Sequence, residues 1–260
     1  MLVLAIDTST PAVTAGLVEL PLNGGAPRLV GERVTVDAMA HAELLAPQVR
    51  ALLDCSLLDG ALLDGAPAVA PDAIVCGAGP GPFTGLRVGM VTAAALGDGF
   101  GVPVYGVCSL DAIAVAASSG YAVSGGAAVS GGAAVSGGAA VADLLVATDA
   151  RRREVYWAAY RGCARVDGPH VQRPAELARL LPSLGVTAAA GAGAVLYADV
   201  LGLPLLDLPY PTAAGLVAVA AGALRSGAPP QPLVPLYLRR PDAAEPGPRK
   251  LVTAHPVDKS

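Results

Sequence analysis

The stretch Cys76-Gly77-Ala78-Gly79-Pro80-Gly81-Pro82-Phe83-Thr84-Gly85-Leu86-Arg87-Val88-Gly89-Met90 constrains this chain more than any other part of it. The short apolar run Ala73-Ile74-Val75 precedes it and predicts a buried strand, and Arg87 to Leu96 follows with helix-forming residues and no proline. The glycines and prolines therefore fall on a strand-to-helix turn. Glycine permits positive φ and close backbone approach there, and Pro82 suits the first turn of a helix because it has no N–H to leave unpaired. A helix N-terminus behind a glycine-rich turn is a natural anion site. The spacing matches neither the P-loop nor the dinucleotide fingerprint, so the turn alone assigns no ligand.

The same helix carries Gly85, Gly89, Ala93 and Gly97 at four-residue intervals, a ridge of small side chains along one side. Glycine inside a helix costs about 1 kcal/mol relative to alanine, so several of them call for a packing reason. A flat ridge admits another backbone closely, either a partner helix or the chain's own sheet. The pattern by itself leaves both open.

Apolar residues make up 53% of the 260 positions and charged residues 15%, enough for a sizeable core in one large domain or two small ones. A net charge of −4, with Lys250 and Lys259 the only lysines, argues against a free-standing nucleic-acid binder, which needs basic surface. Arg151-Arg152-Arg153 is a local basic run and reads as a solvated turn between strands. Cys55, Cys76, Cys108 and Cys163 form no Cys-x-x-Cys, which suits reduced thiols in a cytoplasmic protein rather than a disulfide frame or a zinc site. Cys76 and Cys108 each end a presumed strand and are expected to lie near one another as small core residues. The apolar start, Met1 to Ile6, is too short for a signal peptide and is interrupted by Asp7.

Leu2 to Ile6, Val13 to Glu19 and Leu29 to Val36 read as strands, with a turn at Asn23-Gly24-Gly25. His41 to Leu53 reads as a helix with Leu44, Leu45, Val49, Leu52 and Leu53 on one face and Pro47 as a candidate kink. Leu57 to Ala61 is echoed by Leu62 to Ala66, a small duplication in a loop. A strand at Val104 to Val107 leads to a helix through Ala117 for which Ser109 is the expected cap. Strands near Leu144 to Thr148 and Glu154 to Tyr160, and helices near Ala175 to Leu181 and Thr212 to Leu224, would form a second half.

Between them, Val123-Ser124-Gly125-Gly126-Ala127-Ala128 repeats three times through Ala140. Residues 112 to 142 are uncharged, yet the repeat has no Leu, Ile or Phe, so a membrane span is rejected. The expected organisation is an N-terminal half, 1–117, carrying partner-binding helices; a flexible low-complexity insertion, 118–142; a C-terminal half, 143–228; and a Pro-rich tail, 229–260, lying on the body.

Gly79-Pro80-Gly81-Pro82-Phe83-Thr84-Gly85-Leu86-Arg87 resembles the signature of the bacterial TsaB (YeaZ) family. Members are partner subunits in making the threonylcarbamoyl modification (t6A) of adenosine in tRNA. Ile6-Asp7-Thr8-Ser9-Thr10, Asp149-Ala150-Arg151 with Glu154-Val155-Tyr156-Trp157, and Pro235-Leu236-Tyr237-Leu238-Arg239 agree in order and spacing, so the resemblance spans nearly the whole chain. It implies an α/β protein of the actin-like ATPase (ASKHA) fold, with two tandem mixed-sheet halves and helices packed on them. It also implies a TsaD-like catalytic partner, a TsaE-like ATPase as third partner, homodimers in isolation and tRNA contact only within the complex. Gly79, Gly81, Phe83, Thr84 and Arg87 are then the family-signature turn. Family pairing through the N-terminal helices points to His41, Leu44, Leu45, Gly85, Gly89 and Ala93 as the partner interface.

The alternative is an enzyme, either an actin-like ATPase or kinase or a metallopeptidase. Asp7, Thr8 and Ser9 stand where such ATPases place an acidic residue and a phosphate turn, but no glycine falls between Asp7 and Gly16. The matching turn, Asp149-Ala150-Arg151, also lacks glycine, and Gly191-Ala192-Gly193 is a thin remnant of adenosine-binding glycines. Asp7-Thr8-Ser9 therefore reads as a degenerate nucleotide motif, with Asp7 anchoring turn hydrogen bonds. His41, His170 and His255 include no pair at helical spacing, whereas TsaD carries a His-x-x-x-His on its first helix. A catalytic metal usually needs about three protein ligands. No metal, cofactor or catalytic residue is assigned, and Ser9, Thr84 and Ser109 lack a histidine in sequence context.

Overall fold

Strand β1 (Leu2–Asp7) is buried on both faces, and its alternation divides one core from another. Val3 and Ala5 point into a layer shared with Leu216, Val217, Ala220 and Leu224, while Leu4 and Ile6 point into a layer with Leu45, Val49, Leu86 and Met90. A strand covered on both sides needs apolar residues at every position, which is what this one supplies. The computed structural model describes residues 1–54, 69–118 and 143–239. Cys55, the duplication at 57–66, the repeat at 123–140 and the tail beyond 239 lie outside the described residues.

Beside β1 stand β2 (Ala12–Glu19) and β3 (Arg28–Val36), both antiparallel, on one side. On the other stand β4 (Ala73–Gly77) and β5 (Val104–Val107), both parallel, giving the order β3-β2-β1-β4-β5. Helices α1 (His41–Leu53) and α2 (Phe83–Phe100) cover one face of this sheet. Pro47 stays inside α1, where it and Glu43, whose carbonyl it leaves unpaired, both face solvent. Helix α2 begins at once after Pro82, in keeping with a proline at the helix start, and ends on Gly101 in the left-handed region.

After α3 (Ser109–Ser118) the pattern repeats. Strands β6 (Asp143–Asp149), β7 (Val155–Arg161), β8 (Ala164–Gln172) and β9 (Ala188–Ala190) form a second sheet in the order β8-β7-β6-β9, again antiparallel on one side of its first strand and parallel on the other. Helices α4 (Pro174–Leu184), α5 (Ala192–Leu196) and α6 (Ala198–Leu201) lie on one face, contributing Leu177, Leu181, Ala194 and Leu201 to its core. These are the two mixed-sheet halves of the actin-like ATPase fold.

The cores cross the boundary that the sequence order suggests. Helix α3, which follows the first sheet, packs Leu110, Ile113, Ala114 and Ala117 on the second with Leu144 and Val146. Helix α7 (Ala213–Ser226), which follows the second sheet, packs on the first. The Ala213 amide at its start donates to Glu32 of β3 at 2.7 Å, and Thr212 caps it by accepting from the Gly215 amide at 3.0 Å. Each half thus holds a helix of the other.

Candidate functional site

Asp7 ends β1 with no exposed surface, and both of its carboxylate oxygens are engaged. Oδ1 accepts from the Ser9 amide at 2.9 Å and from the Ser9 hydroxyl at 2.7 Å, and Oδ2 accepts from the Ser109 hydroxyl at 2.5 Å. Burial pushes the carboxyl above its usual range, opposed by these hydrogen bonds and by the charge of His41. Gly77 leaves room for that carboxylate, since a Cβ there would overlap it. Ser109 is consequently tied to Asp7 and to the Gly79 amide at 3.2 Å rather than capping its own helix as expected. Asp149 builds the same turn at the end of β6, accepting from the Arg151 amide at 2.9 Å. After it, Arg151, Arg152 and Arg153 all take positive φ in an exposed turn.

Thr8 explains the ridge on α2. Its hydroxyl donates to the Gly85 carbonyl at 2.7 Å and accepts from the Gly89 amide at 2.9 Å, the two groups that an α-helix ordinarily pairs with each other. A Cβ at Gly89 would overlap that hydroxyl, so the glycine is required by close approach. The ridge therefore packs inside the chain. Of the residues expected at a partner interface, Gly85, Gly89, Ala93 and Leu45 are buried in the chain's own core. His41 is buried as well, and its Nε2 donates to the Thr10 carbonyl at 2.8 Å. Leu44 is half-buried. The physical reason is that a small-residue ridge marks a close approach without saying to what: here the β1–β2 turn meets Gly85 and Gly89, and Val104 of β5 meets Gly97.

The signature turn lies against these groups. Gly79 has φ of 93° and accepts from the Ser109 amide at 2.7 Å, and Gly81 sits against the Ser9 backbone. Phe83 stacks on Tyr237 with ring centroids 5.1 Å apart; the Arg87 guanidinium lies 3.7 Å from the Phe83 centroid and donates to the Tyr237 hydroxyl at 3.0 Å. Two residues on, Arg239 pairs with Glu154. Thr8, His41, Phe83 and Thr84 form one wall of a cleft of about 160 Å³, and Arg151 reaches it from the second half.

Three of the four signature stretches thus line this cleft, and the fourth packs behind two of them through Tyr237 and Arg239, which no local spacing in the sequence shows. The roles of Ser109 and Tyr237 were missed for that reason. Gly191 and Gly193 instead pack against the backbone of Ala147 and Thr148. Cys76 is buried and its thiol is pushed up by burial and by Asp7; Cys108 is pushed up to about 11 by burial and by Asp111. Neither thiol is a ready nucleophile.

Comparison with known proteins agrees with this geometry. The model of the family "TsaD: tRNA N6-adenosine threonylcarbamoyltransferase" matches residues 35–214. An uncharacterized protein of Mycobacterium tuberculosis (strain H37Rv) is 48% identical over 245 residues, which is 93% of this chain and 93% of that protein. One of Mycobacterium leprae is 47% identical over 93% of this chain, which spans only 56% of its length. TsaB of Escherichia coli K12 is 31% identical over 62% of this chain and 55% of its own length. YeaZ from Pseudomonas aeruginosa superposes with a TM-score of 0.65 at 26% identity, covering 91% of this chain and 99% of that one. With the family model laid over more than half of its residues and the YeaZ fold over nearly all of them, the chain belongs to the family that the TsaD model describes, and within it is TsaB (YeaZ)-like.

Proposed function

We propose that this chain is a non-catalytic TsaB-like subunit that associates with a TsaD-like subunit and supports threonylcarbamoylation of adenosine in tRNA. The observation that carries this reading is the outward side of α1 and α2. Ala42, Ala46 and Pro47 of α1 are exposed, as are Val91, Ala94 and Ala95 of α2, and no charged residue interrupts α2 between Arg87 and Asp98. The outer face of α2 is small and apolar there, and that of α1 sets Ala42, Ala46 and Pro47 beside the charged Glu43 and Arg50; two such neighbouring helices suit docking against the helices of a partner. The interface so proposed lies opposite the ridge, with Leu44 at its edge.

The engagement of both Asp7 oxygens within the chain supports a supporting rather than a catalytic role. In this reading a TsaE-like ATPase is the third partner, the same helices make a homodimer when the TsaD-like subunit is absent, and tRNA is met only in the assembly. The setting is the cytoplasm; among the described residues no helix is long and apolar enough to cross a membrane. The test is the t6A content of tRNA in cells that depend on this chain. Val91→Asp is expected to lower it and Asp7→Asn to leave it nearly unchanged. Loss on Asp7→Asn, with the protein folded and still assembled, would favour a catalytic role and contradict the proposal.

A further inference from the structure

Residues 229–239 run from one half of the molecule to the other. They leave α7 near Ala228, whose carbonyl accepts from the Tyr105 hydroxyl at 2.8 Å, and Leu233 packs onto the core beneath α2. The Leu236 amide donates to the Ala78 carbonyl at 2.9 Å, which fixes the segment to the loop after β4. Tyr237 then stacks on Phe83 and takes the hydrogen bond from Arg87, both on the first turns of α2. Arg239 reaches the second half and pairs with Glu154, the two side chains being only 25% and 30% exposed.

These end points adjoin the two sides of the cleft. Phe83 lines it from the first half, and Arg151 lines it from the turn that Glu154 closes. That turn is held by the Ala150 amide donating to the Glu154 carbonyl at 2.9 Å and the Glu154 amide donating to the Arg151 carbonyl at 3.0 Å. A ligand touching both turns would tie two halves together by binding their closed arrangement better than an open one. Here Asp7 has no free oxygen to offer one.

We propose that residues 229–239 are an internal strap that holds the two sides of the cleft together from outside it through Tyr237 and Arg239, so that no bridging ligand is needed to tie them. The inference does not depend on the partner reading. Its test is amide hydrogen exchange on the full chain, read at Ala150 and Glu154 and at the first turn of α2. Arg239→Ala and Glu154→Gln should each speed exchange at Ala150 and Glu154 by roughly fivefold, the upper end for a solvent-accessible ion pair. Protection in β1, β4 and β6 should stay unchanged. The exchanged pair Arg239→Glu with Glu154→Arg should restore slow exchange, and Tyr237→Ala should loosen both walls. Magnesium ADP added to the wild-type chain should leave the turn as it was. Unchanged exchange in both single variants, failure of the exchanged pair to restore it, loosening spread over the core strands, or protection of the turn by ADP would each overturn the proposal.

Discussion

Thr8 is the residue on which the site most depends, because it occupies a hydrogen-bonding position inside another element. Replacing its hydroxyl by a methyl group in Thr8→Val leaves the Gly85 carbonyl and Gly89 amide to re-form their own bond around a misplaced carbon. The expected loss is about 1–3 kcal/mol, roughly 2–4 °C in Tm per kcal/mol for a domain of this size, read by thermal denaturation. A Tm equal to wild type would show that the inserted hydroxyl contributes nothing. Asp7 gives a pH signature. Its folded carboxyl holds a proton to higher pH than it does in the unfolded chain, so the folded state binds more protons in that window. Stability therefore falls as pH rises from the ordinary carboxylate range to the raised folded value. Glu32 is raised by burial too and acts in the same direction, so the informative quantity is the difference between wild type and Asp7→Asn. Denaturant melts from about pH 4 to 8 should show a shallower decline in the variant; parallel curves would contradict the assignment.

At the scale of elements, α2 has an inner and an outer face that respond oppositely to substitution. Gly89→Leu drives a side chain into Thr8 and is expected to cost about 1–3 kcal/mol or more, with insolubility as the extreme. Val91 is 66% exposed, and Val91→Asp should leave Tm nearly unaltered. The sequence made most elements readable: α1 and β5 fall where periodicity places them, since a half-buried element displays its face in its residues. Three features were not readable. β9 is Ala188-Ala189-Ala190, which carries no strand preference and exists because β6 offers it a parallel edge. β8 contains Gly168-Pro169, a turn signal in isolation, absorbed as an irregularity where Trp157 pairs His170 but Ala159 pairs Asp167. The ridge is visible in the sequence, but four-residue spacing names a helix face and not its neighbour: His41, Leu45, Gly85, Gly89 and Ala93, expected at a partner interface from the family resemblance, are buried within the chain.

For the whole molecule, the exchange of α3 and α7 between sheets makes the two halves one cooperative body. Leu216→Ala, on the helix that follows the second sheet, empties volume beneath the first and should cost about 2–5 kcal/mol. Unfolding followed by both far-ultraviolet circular dichroism and the fluorescence of Trp157, the single tryptophan, should move together. A Trp157 transition that stays put would show two independent halves. In the proposed function, this body is a partner subunit that meets a TsaD-like chain through the outer faces of α1 and α2. Light scattering after size exclusion of the chain mixed with the TsaD-like subunit of the same cell tests it most directly. The account predicts a stable complex with the wild-type chain and, with Val91→Asp at unchanged Tm, association weakened roughly tenfold or more. No complex with the wild-type chain, or an undiminished one with Val91→Asp and Ala94→Asp together, would contradict it.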